Sequence, residues 1–235
     1  MTDPVEEDAR VPVSDPAMPA RPAAVLFDCD GVLADSEMLV NEVVADDLTR
    51  RGWPLTARAS KAAFMGLSWP DMVPLVEARV GPLPPDWPAL IAGRIAEEVA
   101  GGVPPVPGAR EAVRALIAAG VPVAVASNAG RRELLAKLDA LGLRDAFGDR
   151  VFSFQDVPRP KPHPDIYAAA ARACGADPRD CVVVEDSAVG ARAGAAAGCR
   201  VLGYARDTPA LDLLEAGARE TLTDMADLPR LLGLA

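Results

Sequence analysis

The stretch AVLFDCDGVLADSE, Ala24 to Glu37, decides how the chain is read. Val25, Leu26 and Phe27 are apolar residue types that favour strands, so a buried opening strand is expected over residues 24–28. That strand runs straight into Asp28 and Asp30, which flank Cys29, with Gly31 next and a third acid at Asp35. Acids before a glycine commonly cap a turn. Two carboxylates at the end of a buried strand also suit a place where negative charge has a use, since unpaired buried charge is costly.

Working outward from this stretch, residues from Gly108 onward alternate between two patterns. Helical spacing is found at 108–120, 131–142, 164–175 and 188–198, and short apolar runs at 121–127, 150–154, 181–186 and 200–204. Two helices, 209–218 and 228–234, close the chain. Strands alternating with helices imply parallel crossovers, and hence an α/β fold with a Rossmann-like, doubly wound parallel sheet. The uniformly apolar strands agree, because helices cover both faces of such a sheet.

The block from 37 to 106 is of another kind. Leu39, Val40, Val43, Val44 and Leu48 share one helical face, Ser68 is placed to cap a helix over 68–80, and a further helix is expected over 88–102. This block leaves the core after Asp35 and returns through GGVPPVP, residues 101–107, whose glycines and prolines suit a two-stranded hinge. The expected organisation is a catalytic core of 23–36 plus 107–235, an inserted all-helical cap of 37–106, and a disordered acidic, Pro-rich tail over 1–22.

Bulk properties remove several classes of function. The 235 residues carry a net charge of −10, with a pI near 4.7, so no basic face is available for nucleic acid. No run approaches the ~18 apolar residues of a membrane span, and the N-terminus has neither the basic start nor the apolar middle of a signal peptide. The four cysteines form no CxxC pair, which fits reduced thiols and a cytoplasmic location. The single histidine, His163, excludes paired-histidine metal sites.

In open parallel sheets, ligands bind beyond the carboxyl ends of the strands. The first strand ends at Asp28 and Asp30, the second at Ser127 and Asn128, and the VVVED strand at Glu185 and Asp186; a proline-stiffened loop, PRPKPHPDIY, presents Lys161. Four carboxylates brought to one edge resist joint ionisation unless a cation joins them. An all-oxygen set with room for water suits Mg²⁺. Ser127 and Lys161 suit the equatorial oxygens of a phosphoryl group. One aspartate can serve as nucleophile, and a second, two residues on, as general acid and base.

These residues, in this order, resemble the four motifs of the haloacid dehalogenase superfamily: FDCDGVLADSE, the strand-ending Ser127, Lys161 in KPHPDIY, and VVVEDSAVG. The likeness covers about residues 24–205, and the helical block is similar to the small cap of the phosphoglycolate phosphatase and β-phosphoglucomutase-like branch. The resemblance implies Asp28 as nucleophile and Mg²⁺ ligand. Asp30 would be the acid/base that also offers its carbonyl to the metal, Asp186 a direct ligand, and Glu185 a ligand or a partner through water. Ser127, with Asn128 beside it, and Lys161 would bind the phosphoryl group. Dehalogenases proper carry tyrosine at the place of Asp30. β-Phosphoglucomutases carry a histidine at the place of Val40, and lysine and arginine in the cap loop where this chain has Met65 and Trp69. That loop, FMGLSWP, is read as the specificity loop through Met65, Gly66, Ser68 and Trp69, with Met65 and Trp69 either cap core or substrate-facing. The expected function is a Mg²⁺-dependent phosphatase of a small phosphorylated metabolite, a sugar phosphate or phosphoglycolate, in a monomer or small homo-oligomer. A phosphosugar mutase is the main alternative, with a dehalogenase and a non-catalytic binding protein behind it.

Overall fold

Every residue of the opening strand β1, Ala24–Phe27, is fully buried. The computed structural model describes residues 21–65 and 67–234; residues 1–20 of the tail expected over 1–22, and Gly66 of the cap loop, lie outside them. After β1 come four helices, α1 (Glu37–Arg50), α2 (Ala57–Phe64), α3 (Trp69–Val80) and α4 (Trp87–Ala100). The chain continues through α5 (Ala109–Ala118), β2 (Val123–Ser127), α6 (Arg131–Ala140), α7 (Arg144–Phe147), β3 (Val151–Ser153), α8 (Asp165–Ala173) and β4 (Cys181–Glu185). It ends with α9 (Ala188–Ala196), β5 (Arg200–Tyr204), α10 (Ala210–Glu215), β6 (Glu220–Leu222) and α11 (Leu228–Leu231).

All six strands are parallel, in the order β3-β2-β1-β4-β5-β6. The chain steps outward from β1 to β3, then returns to lay β4 on the other side of β1. Side chains alternate across each strand. Ala24, Leu26, Ala124, Ala126, Val183 and Val201 pack with α8, α9 and α10. Val25, Phe27, Val123, Val125, Val182 and Val184 pack with α5, α6, α7 and α11. This is the expected Rossmann-like doubly wound sheet with an inserted helical cap. No helix among the described residues is long and apolar enough to cross a membrane.

The cap joins the sheet through a two-stranded neck. The Asp35 N–H donates to the Pro104 carbonyl at 2.8 Å, and the Val106 N–H donates to Leu33 at 3.0 Å. Arg206, beyond β5, ties the neck down by donating to Asp35 at 2.8 Å. Inside the cap, Trp87 is fully buried and meets Trp69 edge-on, with ring centroids 5.7 Å apart. The Trp87 indole N–H is satisfied by Asp47 at 2.7 Å. Helix α4 lies along α6 and so seats the cap over the sheet edge.

Several boundaries differ from the sequence reading. The strand stops at Phe27 rather than residue 28; the Asp28 N–H still donates to Val184 at 3.0 Å, but its side chain is free to turn into the site. Three short elements, α2, α7 and β6, stand where no separate element was expected. A three-residue strand such as β6 carries too little periodicity to be read locally, and pairing with β5 creates it. Ser68 does sit at the start of α3, but its side chain makes no cap bond; its hydroxyl donates to Asp71 instead.

Gly190 and Gly194 lie in α9 and let it pack closely on β4 and β5, whereas Gly198 ends the turn after it at φ +88°. A Cβ on Gly194 would stand 2.8 Å from a Val201 methyl and 3.1 Å from one of Val183. Gly194→Val is therefore expected to lower stability by about 1–3 kcal/mol through overpacking, read as a reduced midpoint in urea unfolding.

Candidate active site

The carboxyl ends of β1, β2 and β4 meet at the point where the sheet order reverses, which is where open α/β sheets form a crevice. Gly31 makes the first turn possible. Its φ of +73° suits glycine, and a Cβ there would lie 1.9 Å from Asp186 Oδ2. The absent side chain thus lets the loop after β1 close onto the acid after β4. Asp28, Glu185 and Asp186 each bring a carboxylate oxygen to within 4.8 Å of the others, and all three residues are buried.

Lys161 enters this cluster from the loop before α8. Its ammonium donates to Asp28 Oδ1 at 2.7 Å and to Glu185 Oε1 at 2.6 Å, and it lies 4.9 Å from the centre of the Tyr167 ring. Asn128 holds the loop in place. Its Oδ1 accepts from the Lys161 N–H at 3.1 Å, and its Nδ2 donates to the Lys161 carbonyl at 3.2 Å. Asn128, expected at the phosphoryl group, thus braces the loop that carries the lysine. Glu185 is held on both oxygens: Tyr167 donates to Oε1 at 2.7 Å, and the Ser187 N–H and hydroxyl reach Oε2 at 3.2 and 3.0 Å. Ser187 also caps α9 by accepting from Gly190 at 3.0 Å.

Asp30 is gripped separately. Its Oδ1 accepts from Lys137 on α6 and from the Ser36 hydroxyl, while Ser127 donates to its Oδ2 at 3.3 Å. Ser127 in turn accepts from the Ala129 N–H at 2.9 Å. Lys137 also pairs with Glu133, one turn earlier on the same helix.

These surroundings move the proton equilibria in opposite directions. Burial pushes the Asp28 carboxyl up, with Glu185 and Asp30 adding to the effect and Lys161 opposing it. Burial, then Asp28 and Glu185, push Asp186 well above the carboxylate range. Burial would raise Asp30 as well, but Lys137 and the two hydroxyls outweigh it and hold the group below its ordinary value. Burial works against the ammoniums of Lys161 and Lys137, yet their carboxylate partners raise both.

A cavity of about 150 Å³ opens between cap and core. Asp28, Asp30, Ser127, Asn128, Lys161 and Asp186 line its floor. Met65 and Trp69 of the cap loop line it from above, whereas Ser68 is buried at the start of its helix. Sequence reading missed Glu133, Lys137 and Tyr167. Glu133 and Tyr167 stand in the first turns of α6 and α8 and Lys137 in the last turn of α6, all in ordinary helical patterns, and only the docking of α6 and α8 on the sheet turns them inward.

A family model described as haloacid dehalogenase-like hydrolase matches residues 22–198. The chain belongs to this family. Hexitol phosphatase B of Escherichia coli is 34% identical over 185 residues, covering 77% of this chain and 83% of that protein. A CBBY-like protein of Arabidopsis thaliana is 33% identical over 211 residues, covering 79% of this chain; the chain spans 65% of the length of that relative. Among solved structures, a HAD family hydrolase from Deinococcus radiodurans with bound phosphate and sodium is 36% identical, with a TM-score of 0.71 and coverage of 92% of this chain and 98% of that one. The chain is a phosphoric monoester hydrolase of that family.

A Cβ on Gly190 would stand 1.6 Å from Glu185 Oε1. Gly190→Ala should therefore push Glu185 off Lys161 and Tyr167 and reduce kcat at least tenfold, with the far-UV circular dichroism spectrum retained.

Proposed function

We propose that this phosphoric monoester hydrolase cleaves a small phosphorylated metabolite, of the sugar-phosphate kind, through an aspartyl phosphate on Asp28. The observation that carries the reading is the buried carboxylate of Asp28, held on one oxygen by Lys161 beside Asp186. Burial removes water from a nucleophile that the ammonium orients, leaving the other oxygen for attack at phosphorus. Lys161 and Ser127 then face the phosphoryl oxygens. Asp30 protonates the departing alkoxide and later takes the proton of the water that cleaves the acyl phosphate.

The donor set fits a hard divalent cation. Asp28, Glu185 and Asp186 place three acids around the one ammonium of Lys161, and burial first, then the charges of Asp28 and Glu185, pushes Asp186 up. The Asp28 and Asp186 carboxylates and the Asp30 carbonyl would hold Mg²⁺, with Glu185, already held on both oxygens, steadying the set. When bound, the ion offsets charge on these acids and on the phosphoryl oxygens.

The cap wall favours hydrolysis over a mutase reaction. Val40, Phe64, Met65, Leu67, Trp69 and Met72 line it, so Met65 and Trp69 bring no charge to a second phosphate. The cap-borne ammonium in the lining, Lys61, is engaged by Glu37 and lies 3.6 Å from Asp207. The relatives named hexitol phosphatase B and 6-phosphogluconate phosphatase support a sugar-phosphate substrate.

Asp28→Asn should abolish phosphate release, by 10³-fold or more, while leaving the melting temperature near that of the wild type. In a panel of phosphate monoesters, release should stop with EDTA and return with Mg²⁺. Sugar 1-phosphates should yield free phosphate rather than the 6-phosphate isomer; isomerisation without release would replace hydrolysis with mutase activity.

A further inference from the structure

Lys137 has no place in the reaction as written above, yet it is among the largest side chains that are completely buried. Its ammonium is not spent on Glu133 alone, the partner one turn away on α6; it is shared with Asp30 across the site. Asp30 is therefore fixed from three separate elements. Lys137 comes from α6, Ser36 from the entrance to α1, and Ser127 from the end of β2. Lys137 and Ser36 meet on the same oxygen, Oδ1, leaving Oδ2 with the long 3.3 Å contact from Ser127. A carboxylate bound on one oxygen by a cation has one preferred facing, and its second oxygen is presented in a set direction.

We propose that Lys137, steadied by Glu133, is a positioning residue that aims the Asp30 carboxylate for the dephosphorylation half of the reaction. This rests on the reading of Asp30 as the acid/base of a phosphatase. In that half-reaction a bond forms from the water oxygen to phosphorus, the bond from phosphorus to the Asp28 oxygen breaks, and the water proton passes to Asp30. Release of a stabilised leaving group in the first half, such as nitrophenolate, needs no proton from Asp30. A misdirected Asp30 should therefore stall the second half and spare the first for such a substrate.

The test is stopped-flow hydrolysis of 4-nitrophenyl phosphate with Mg²⁺, in the wild type and in two variants. Glu133→Gln/Lys137→Met removes the buried pair together, so Glu133 is not left as an unpartnered charge, and Asp30 keeps the hydroxyl donors Ser36 and Ser127. Ser36→Ala removes the other donor on Oδ1 and remains informative if the double variant does not fold. The expected result is a nitrophenolate burst approaching one equivalent per site, followed by a steady-state rate at least tenfold below the wild type. The effect should be smaller in Ser36→Ala, and KM should not rise in either variant. For an alkyl ester such as glycerol phosphate, whose leaving group does need a proton, kcat should fall with no burst. Equal loss of burst and steady-state rates, or unchanged steady-state turnover, would overturn the assignment of Lys137 while leaving the hydrolase reading intact. A wild-type protein that releases phosphate from neither ester would overturn the hydrolase reading itself, and this inference with it.

Discussion

The buried ammonium of Lys161, bonded at once to Asp28 and Glu185, is the contact on which the rest of the site depends. Each of these acids comes from a different strand, and burying either without a partner would cost several kcal/mol. The lysine makes their convergence affordable and ties β1, β4 and the loop before α8 into one unit. A second ammonium, Lys137, does the same for Asp30 and Glu133 a short distance away. Four acids thus share two buried cations, with Asp186 beside them, an arrangement that remains short of positive charge and suits a divalent ion. Attraction of an anion by a chain with net charge −10 has to be local, and Lys161 is the ammonium on the cavity floor that can meet it.

The sheet explains why these groups meet at all. All six strands run the same way, so all their carboxyl ends open on one edge. Because the order reverses beside β1, no crossover fills the crevice between β1 and β4. Glycines refine the fit: Gly31 lets Asp186 approach the first loop, and Gly190 leaves room for the Glu185 carboxylate under α9. Division of labour among the acids then follows from their neighbours, with Asp28 and Asp186 pushed up by burial and nearby acids, and Asp30 pulled down by Lys137 and two hydroxyls.

The cap contributes a wall rather than chemistry. It stands on a neck of two backbone hydrogen bonds, with α4 against α6, and turns a largely apolar surface toward the charged floor. On the function proposed above, such a wall would exclude water from a reacting phosphoryl group, with specificity set by the cap and reactivity by the sheet.

The sequence by itself determined the alternation of strands and helices, the insertion after the first strand, and the position of Asp28, Asp30, Ser127, Lys161, Glu185 and Asp186 at strand ends or in a stiff loop. These are local signals, because apolar runs, glycine stops and acids after a strand are visible within a few residues. Tertiary structure alone decided that Asn128 braces the Lys161 loop, that Tyr167 and Ser187 hold Glu185, that Ser68 turns away from the cavity, and that Lys137 grips Asp30 across 107 residues of chain. A lysine at helical spacing reads as a solvated side chain. Only the packing of α6 between the cap and the sheet removes its water, and a buried ammonium must then find carboxylates wherever the fold has placed them.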